Sequence, residues 1–267
     1  RGRAAAPGAS PWWRRYGADA GAAADALVRQ MTFAEKEKLV IGLGFSWDQY
    51  NPRENFYAGT VQAIPRLGVP GTNAQDAAQG FRTTDKRIVG TVTSWPSGMA
   101  AAAAWDPTLT ERYAAAIGAE FQRKGANAIL GPSLDVGRIM QGGRNSENLL
   151  GEEPGLGAAH AAAYIRGMQG AGVACVAKHW VMNTQETNRN SHNNNANERV
   201  RFEIHYAAFQ AASDEGLAGV MCAYNGVNGQ RACENEWLLK GDLKAHLGFN
   251  GFVMSDWWAG MDKAAAA

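Results

Sequence analysis

The chain has 267 residues, enough for one large domain of (β/α)-barrel size. Apolar residues make up 46%, which supports a sizeable core and excludes wholesale disorder. The 26 basic and 25 acidic residues leave a net charge of +1, which excludes a dedicated nucleic-acid binder with a strong basic excess. No apolar run approaches the ~18 residues of a membrane-spanning helix.

Residues 1–29 begin RGRAAAPGAS, without a methionine or an apolar signal core, and read as a loose N-terminal arm with a processed end. Order is expected from MTFAEKEKLV, where Thr32 and Glu35 form a capping box and Phe33, Lys36 and Val40 fit the helix that follows. GLGF at 42–45 is a glycine turn; no Lys-Ser/Thr follows it, so it is not a phosphate loop. Residues 61–76 lead through a loop into a short strand ending at Asp76. Asp106-Pro107 opens a helix with Leu109, Tyr113, Ile117 and Phe121 spaced four apart, and Gly125 ends it.

ANAILGPSLD is then a buried strand, the polar loop GGRNSENLLGEEP carries Arg144, and Pro154 begins a helix through Met168. GVACVAKHWVMN is the next strand, with Lys178 and His179 at its end, followed by the Asn-rich NTQETNRNSHNNNANERV and a helix to Glu215. LAGVMCAYNGVNG is a strand ending at Tyr224. A helix from about Glu236 to His246 leads into GFVMSDWWAG, a short buried strand with Asp256, Trp257 and Trp258 at its end.

Alternating strands and helices predict a parallel sheet with right-handed crossovers, and glycine-bounded apolar strands this far apart favour a TIM-type (β/α)8 barrel over a sandwich. About six strand-helix units are visible, so the barrel, assigned to residues 30–267, is expected to be incomplete at its C-terminus. In such a barrel the strand C-termini converge on one face, bringing Asp76, Arg144, Lys178, His179, Tyr224 and Asp256 together. Acids, cations and hydroxyl donors in one place suit a sugar, whose hydroxyls both donate and accept. An acid beside flat indoles suits attack at an anomeric carbon, and Lys178 and Arg144 are expected to lower the pKa of Asp256. No HExxH, paired Cys/His spacing or GxSxG elbow is present, so no metal, cofactor or serine-hydrolase chemistry is expected. Spacing leaves open whether Cys222 and Cys233 pair across the intervening loop with Cys175 free.

The segments MTFAEKEKLV, WDPTLTERYAAAIGAEFQRKGANAILGPSLDVGR, GGRNSENLLGEEPGLGAAHAAAYIRGMQGAGVACVAKHWVMNTQETNR, VMCAYNGVNG and LGFNGFVMSDW occur here in an order that resembles the N-terminal catalytic domain of glycoside hydrolase family 3, in its β-glucosidase-like branch. The resemblance implies a retaining glycosidase acting on terminal β-D-glucosidic bonds, with Asp256 as nucleophile. It further implies that Asp76, Arg144, Lys178, His179 and Tyr224 contact the sugar, that Arg189 and Met221 line or support the pocket, and that Trp257 flanks it. KHWVMNTQE stands where the N-acetylglucosaminide-cleaving branch carries KHFPGHG, so that branch is disfavoured. A secreted protein, extracellular or periplasmic, is expected.

The sequence departs from the family pattern in places: DAAQGFR keeps Asp76 and Arg82 but loses a Gly-Pro turn, GEEP replaces GEDP, the aromatic common before Glu147 is missing, and His205 stands where tyrosine is common. In this branch the acid/base Glu comes from a later α/β sandwich domain. The chain ends at MDKAAAA, eleven residues after Asp256, so that domain is expected to be absent from it and a second domain or subunit to supply the Glu. The alternative reading is a non-catalytic carbohydrate-binding or structural subunit.

Overall fold

In the computed structural model of the protein, the described residues are 15–16, 19–41, 57–76, 79–83, 86–144, 147–148 and 151–259. The GLGF turn and the terminal alanines lie outside them. Within the segment expected as a loose arm, a helix α1 (Ala20–Gln30) starts with the Asp19 side chain accepting from Ala22 N–H at 2.8 Å. Its Leu27 joins Met31, Ile64 and Leu67 in a small apolar cluster, and that burial orders the segment. Helix α2 (Phe33–Ile41) begins with the expected capping box: Thr32 N–H donates to Glu35 Oε2 at 2.8 Å, and Glu35 N–H to Thr32 Oγ1 at 3.3 Å.

The main sheet has the order β1-β2-β3-β4-β6-β9: β1 (Gly59–Val61), β2 (Thr72–Gln75), β3 (Ala128–Ile129), β4 (Ala174–Trp180), β6 (Gly219–Cys222) and β9 (Phe252–Ser255). The last five are mutually parallel; β1 is an antiparallel partner of β2 (Thr60 opposite Asn73) that the sequence pattern did not suggest. Five parallel units are therefore described, against the six or so expected. A small sheet of β5 (Asn193–Asn194), β7 (Gly226–Val227) and β8 (Gln230–Arg231) organises the Asn-rich loop.

The crossovers pack on the outside of the sheet. A short α3 (Gly98–Ala102) precedes α4 (Pro107–Arg123), where Asp106 Oδ1 accepts from Thr108 and Leu109 N–H at 2.9 and 3.2 Å and Pro107 fills the first helical position. Glu153 caps α5 (Pro154–Gly170) in the same way. These two helices cross so closely that a Cβ on Gly167 would lie 2.1 Å from the Glu111 carbonyl oxygen, so only glycine fits there. Ile117, Phe121, Ile165 and Met168 are fully buried between the helices and the sheet, each side chain contributing roughly 1.5–3 kcal/mol.

Two segments read as α-helices are wound differently. The helix to Glu215 comprises a short α6 (Glu198–Val200), a π-helical turn Arg201–His205 and α7 (Ala207–Asp214), and Trp237–His246 is π-helical. Apolar spacing does not distinguish these windings from a regular helix. The strand around Phe252 is not buried as expected. Phe252 is 51% exposed, because β9 is the last strand of the sheet and among the described residues nothing pairs with its outer edge. Cys222 and Cys233 are disulfide-bonded with their Cα atoms 5.2 Å apart, and Cys175 is free and buried.

Candidate active site

Each parallel strand delivers a side chain to one face of the sheet. Asp76 follows β2. Arg144 and Glu147 come from the long connection after β3, so Arg144 is not at a strand end as expected. Lys178 and His179 lie within the last turns of β4, Met221 is in β6, Tyr224 is two residues beyond it, and Asp256 to Trp258 follow β9. They converge on a cavity of about 440 Å³ lined by Asp76, Arg82, Leu130, Gly143, Arg144, Glu147, Lys178, His179, Glu186, Arg189, Met221, Tyr224, Asp256, Trp257 and Trp258. All nine residues singled out from the sequence line this one cavity.

The cavity's charges are arranged as linked pairs. Asp76 holds Lys178 Nζ at 2.8 Å through Oδ1 and Arg82 at 2.6 Å through Oδ2. Lys178 also lies 3.8 Å from Glu147, which accepts from Arg144 at 3.2 Å. Arg144 donates to Glu186 at 2.5 Å, and Glu186 takes Arg189 at 3.0 Å. Arg189 in turn lies over the Tyr224 ring, 4.6 Å from its centroid. Burial alone would lower the Lys178 pKa, but Asp76, Glu147 and Asp256 outweigh it, so the ammonium is held above its ordinary value.

Asp256 is different. It is 6% exposed, and among the described residues it is the one cavity carboxylate with no Lys or Arg within 4.0 Å. Trp257 N–H donates to its Oδ1 at 2.8 Å, and His179 Nε2 stands 3.3 Å from Oδ2. Burial pushes its pKa up; the Trp257 amide, Lys178, Arg144 and the Tyr224 hydroxyl pull the other way without cancelling the rise. The two cations act in the expected direction, but desolvation wins, contrary to the lowered pKa expected from the sequence.

Burial, then the Lys178, Arg144 and Arg189 charges, hold the His179 pKa well below its ordinary value, so the ring is neutral near pH 7. Its Nε2 lies 3.3 Å from both Asp256 Oδ2 and Arg144 Nη2, and its Nδ1 lies 3.4 Å from Arg144 Nη2. Burial likewise raises the Tyr224 pKa, with Asp256 adding to the rise, and keeps its hydroxyl a donor.

Below the cavity floor, Asp135 ties three segments together. Its carboxylate accepts from Val136 N–H at 2.8 Å, Met182 N–H at 2.6 Å and His205 Nδ1 at 2.7 Å. Leu134 N–H donates to the Lys178 carbonyl at 2.8 Å, so this network fixes the path of β4 on both sides of Lys178 and His179. The chain carries His205 at this position, and its ring is the group that closes the network.

Sequence reasoning missed Glu186 and the cavity-facing role of Arg82, Glu147 and Trp258. Glu186 lies in the Asn-rich loop, where nothing in spacing marks it. Its proximity to Arg189, three residues on, was the one available signal. Among the described residues no cluster of three or more His, Cys, Asp or Glu side chains is placed to hold a metal ion.

An arc of parallel strands with outer helices, whose strand C-termini surround one pocket, is the arrangement of a (β/α)-barrel. Residues 39–267 match the glycosyl hydrolase family 3 N-terminal domain, and the chain belongs to that family. It is 38% identical over 263 residues to a probable β-glucosidase M of Neosartorya fischeri, covering 94% of this chain and 32% of that protein. It is also 38% identical over 266 residues to β-glucosidase A of Aspergillus kawachii, covering 94% and 29%. Among solved structures, a Streptomyces venezuelae β-glucosidase in complex with D-glucose superposes with a TM-score of 0.81 at 38% identity, covering 90% of this chain and 29% of that one. Thermotoga neapolitana β-glucosidase 3B in complex with glucose gives 0.82 at 36%, covering 88% and 34%. The fold is therefore a TIM-barrel-type α/β fold, and the chain spans about a third of the length of the relatives it matches.

Proposed function

We propose that this chain carries the nucleophile half of a retaining β-glucosidase site, with Asp256 attacking the anomeric carbon of a terminal β-D-glucoside or oligosaccharide. The observation that carries the reading is the state of Asp256: buried, held by the Trp257 amide beside His179, and, among the described residues, without a Lys or Arg within 4.0 Å while the other cavity carboxylates are paired. The relatives named above are β-glucosidases, and two of the solved ones hold glucose.

In this reading Asp76, Lys178, Arg144 and His179 take the glycone hydroxyls, Arg189 and Met221 support the wall, and Trp257 flanks the ring. The Asp256 carboxylate forms a bond to the anomeric carbon as the bond to the leaving oxygen breaks and that oxygen takes a proton. Water then cleaves the glycosyl ester with the configuration retained. The proton donor must stand about 5–5.5 Å from Asp256. Glu147 is bound to Arg144, and Glu186 to Arg144 and Arg189. In this reading a further domain or subunit supplies the donor, which the greater length of the relatives supports. The Cys222–Cys233 disulfide supports the expected extracellular or periplasmic location. No helix among the described residues is long and apolar enough to cross a membrane.

Incubating the full-length protein with a 2-deoxy-2-fluoro-β-glucoside should add one fluoroglucosyl group, located by peptide mass spectrometry on Asp256. Labelling of another carboxylate, or none alongside measurable turnover, would sink the assignment.

A further inference from the structure

In an Asn-Gly pair the glycine has no Cβ to crowd its amide nitrogen, which can reach and attack the asparagine side-chain amide. The sequence has three such pairs: Asn225-Gly226, Asn228-Gly229 and Asn250-Gly251. The fold holds two of them apart from reaction. Asn225 is fully buried, its Nδ2 donates to the Val181 and Gly226 carbonyls at 3.1 Å, and Gly226 N–H donates to the His192 carbonyl at 2.9 Å. Asn228 is exposed, but its Oδ1 accepts from Ala196 N–H at 2.8 Å and its Nδ2 donates to the Ala196 carbonyl at 2.9 Å. Gly229 N–H is taken by Asn193 Oδ1 at 2.7 Å. Asn250 is held by nothing comparable. It is exposed in the loop between the π-helical segment Trp237–His246 and β9, and among the described residues neither its side chain nor Gly251 N–H makes a hydrogen bond.

We infer that Asn250 is a site of spontaneous deamidation and isoaspartate formation, and that the isoaspartate form displaces Asp256. The Gly251 nitrogen loses its proton and bonds to the Asn250 side-chain carbonyl carbon, whose bond to Nδ2 breaks and releases ammonia. Water then opens the succinimide. Opening at the side-chain carbonyl leaves aspartate at 250; opening at the main-chain carbonyl leaves isoaspartate, with the backbone routed through one extra methylene. The sheet has no room for that insertion. Phe252 N–H donates to the Ala218 carbonyl at 3.1 Å where the β6–β9 ladder begins, and a Cβ on Gly251 would lie 2.2 Å from the same oxygen. At the far end of β9, Asp256 N–H donates to the Cys222 carbonyl at 3.1 Å, so a shift at Gly251 is passed along the strand to the acid. Aspartate at 250 keeps the backbone length and lies at the end of β9 opposite the cavity, so it leaves the site intact.

The test is an incubation of the full-length protein at mildly alkaline pH, sampled by peptide mass spectrometry, by enzymatic methylation of isoaspartate and by assay on an aryl β-glucoside. Asn250 should deamidate about tenfold faster than Asn225 or Asn228, which must first give up the hydrogen bonds that hold them. After denaturation and reduction the three pairs should react at comparable rates. Activity should fall in step with isoaspartate content. Freshly made Asn250→Asp should match wild type, and Asn250→Ser, which cannot form the succinimide, should hold its activity through the same incubation. Equal rates at the three pairs in the folded protein would overturn the site. Full activity in isoaspartate-rich protein, or loss in Asn250→Ser as fast as in wild type, would overturn its link to Asp256. Isoaspartate is counted by mass and methylation, so the site is tested independently of the reaction assigned to Asp256.

Discussion

Replacing Asp135 by alanine removes a carboxylate that never touches the cavity, and its cost follows from three bonds. Val136 N–H, Met182 N–H and His205 Nδ1 all point at it from 2.6–2.8 Å, and Asp135 and His205 are 2% and 4% exposed. A buried donor left without its acceptor costs about 1–3 kcal/mol. Water entering the vacated space recovers part of that, so a net loss of about 3–5 kcal/mol is expected. For a domain of this size that lowers Tm by roughly 10 °C. Equilibrium denaturation followed by far-UV circular dichroism should show a lower midpoint at unchanged slope. His205→Ala breaks one of the same bonds, so the double variant should be less destabilised than the sum of the singles by at least ~0.5 kcal/mol. A loss below about 1 kcal/mol for Asp135→Ala, or strict additivity with His205→Ala, would refute this account of how the β4 exit is held.

Other outcomes follow from the charges and the covalent bridge. The folded pKa of Asp256 is raised, so folding disfavours its charged form. This penalty is present above the folded pKa and vanishes as pH falls below the unfolded value. Asp256→Asn should therefore be more stable than wild type near pH 7 while losing activity, and a less stable variant would contradict the sign. Lys178 pulls the Asp256 pKa down, so Lys178→Met should move the acid limb of kcat/KM to higher pH; a static or lowered limb argues against contact between them. Removing the Cys222–Cys233 bridge, which spans 11 residues, should cost about 2–3 kcal/mol, and reductant should lower the midpoint of wild type but not of the double serine variant.

Much of the site is readable before folding because barrel geometry converts chain order into proximity. An acid, a Lys-His pair and a tyrosine placed after apolar strands must meet on one face. Caps are readable for a similar reason, since Thr32–Glu35 and Asp106-Pro107 act over three or four residues. What escapes the sequence is contact set by loops. Glu186 reaches Arg144 across 42 residues, and nothing local records it. The direction of the Asp256 pKa was also hidden, because nearby cations can be inferred from topology but the depth of burial cannot. The apolar composition of β9 suggests burial, but Phe252 is exposed where no described strand pairs with its outer edge. The π-helical turns keep helix-like apolar spacing, so their winding left no mark in the pattern.

The most direct test of the central claim is chemical rescue of an Asp256→Gly variant of the full-length protein. With an activated aryl β-glucoside and added azide, the anion should occupy the vacated nucleophile position and give α-glucosyl azide, identified by the NMR coupling at its anomeric proton. Formation of β-glucosyl azide, or a variant that hydrolyses the substrate as fast as wild type without azide, would contradict Asp256 as the nucleophile.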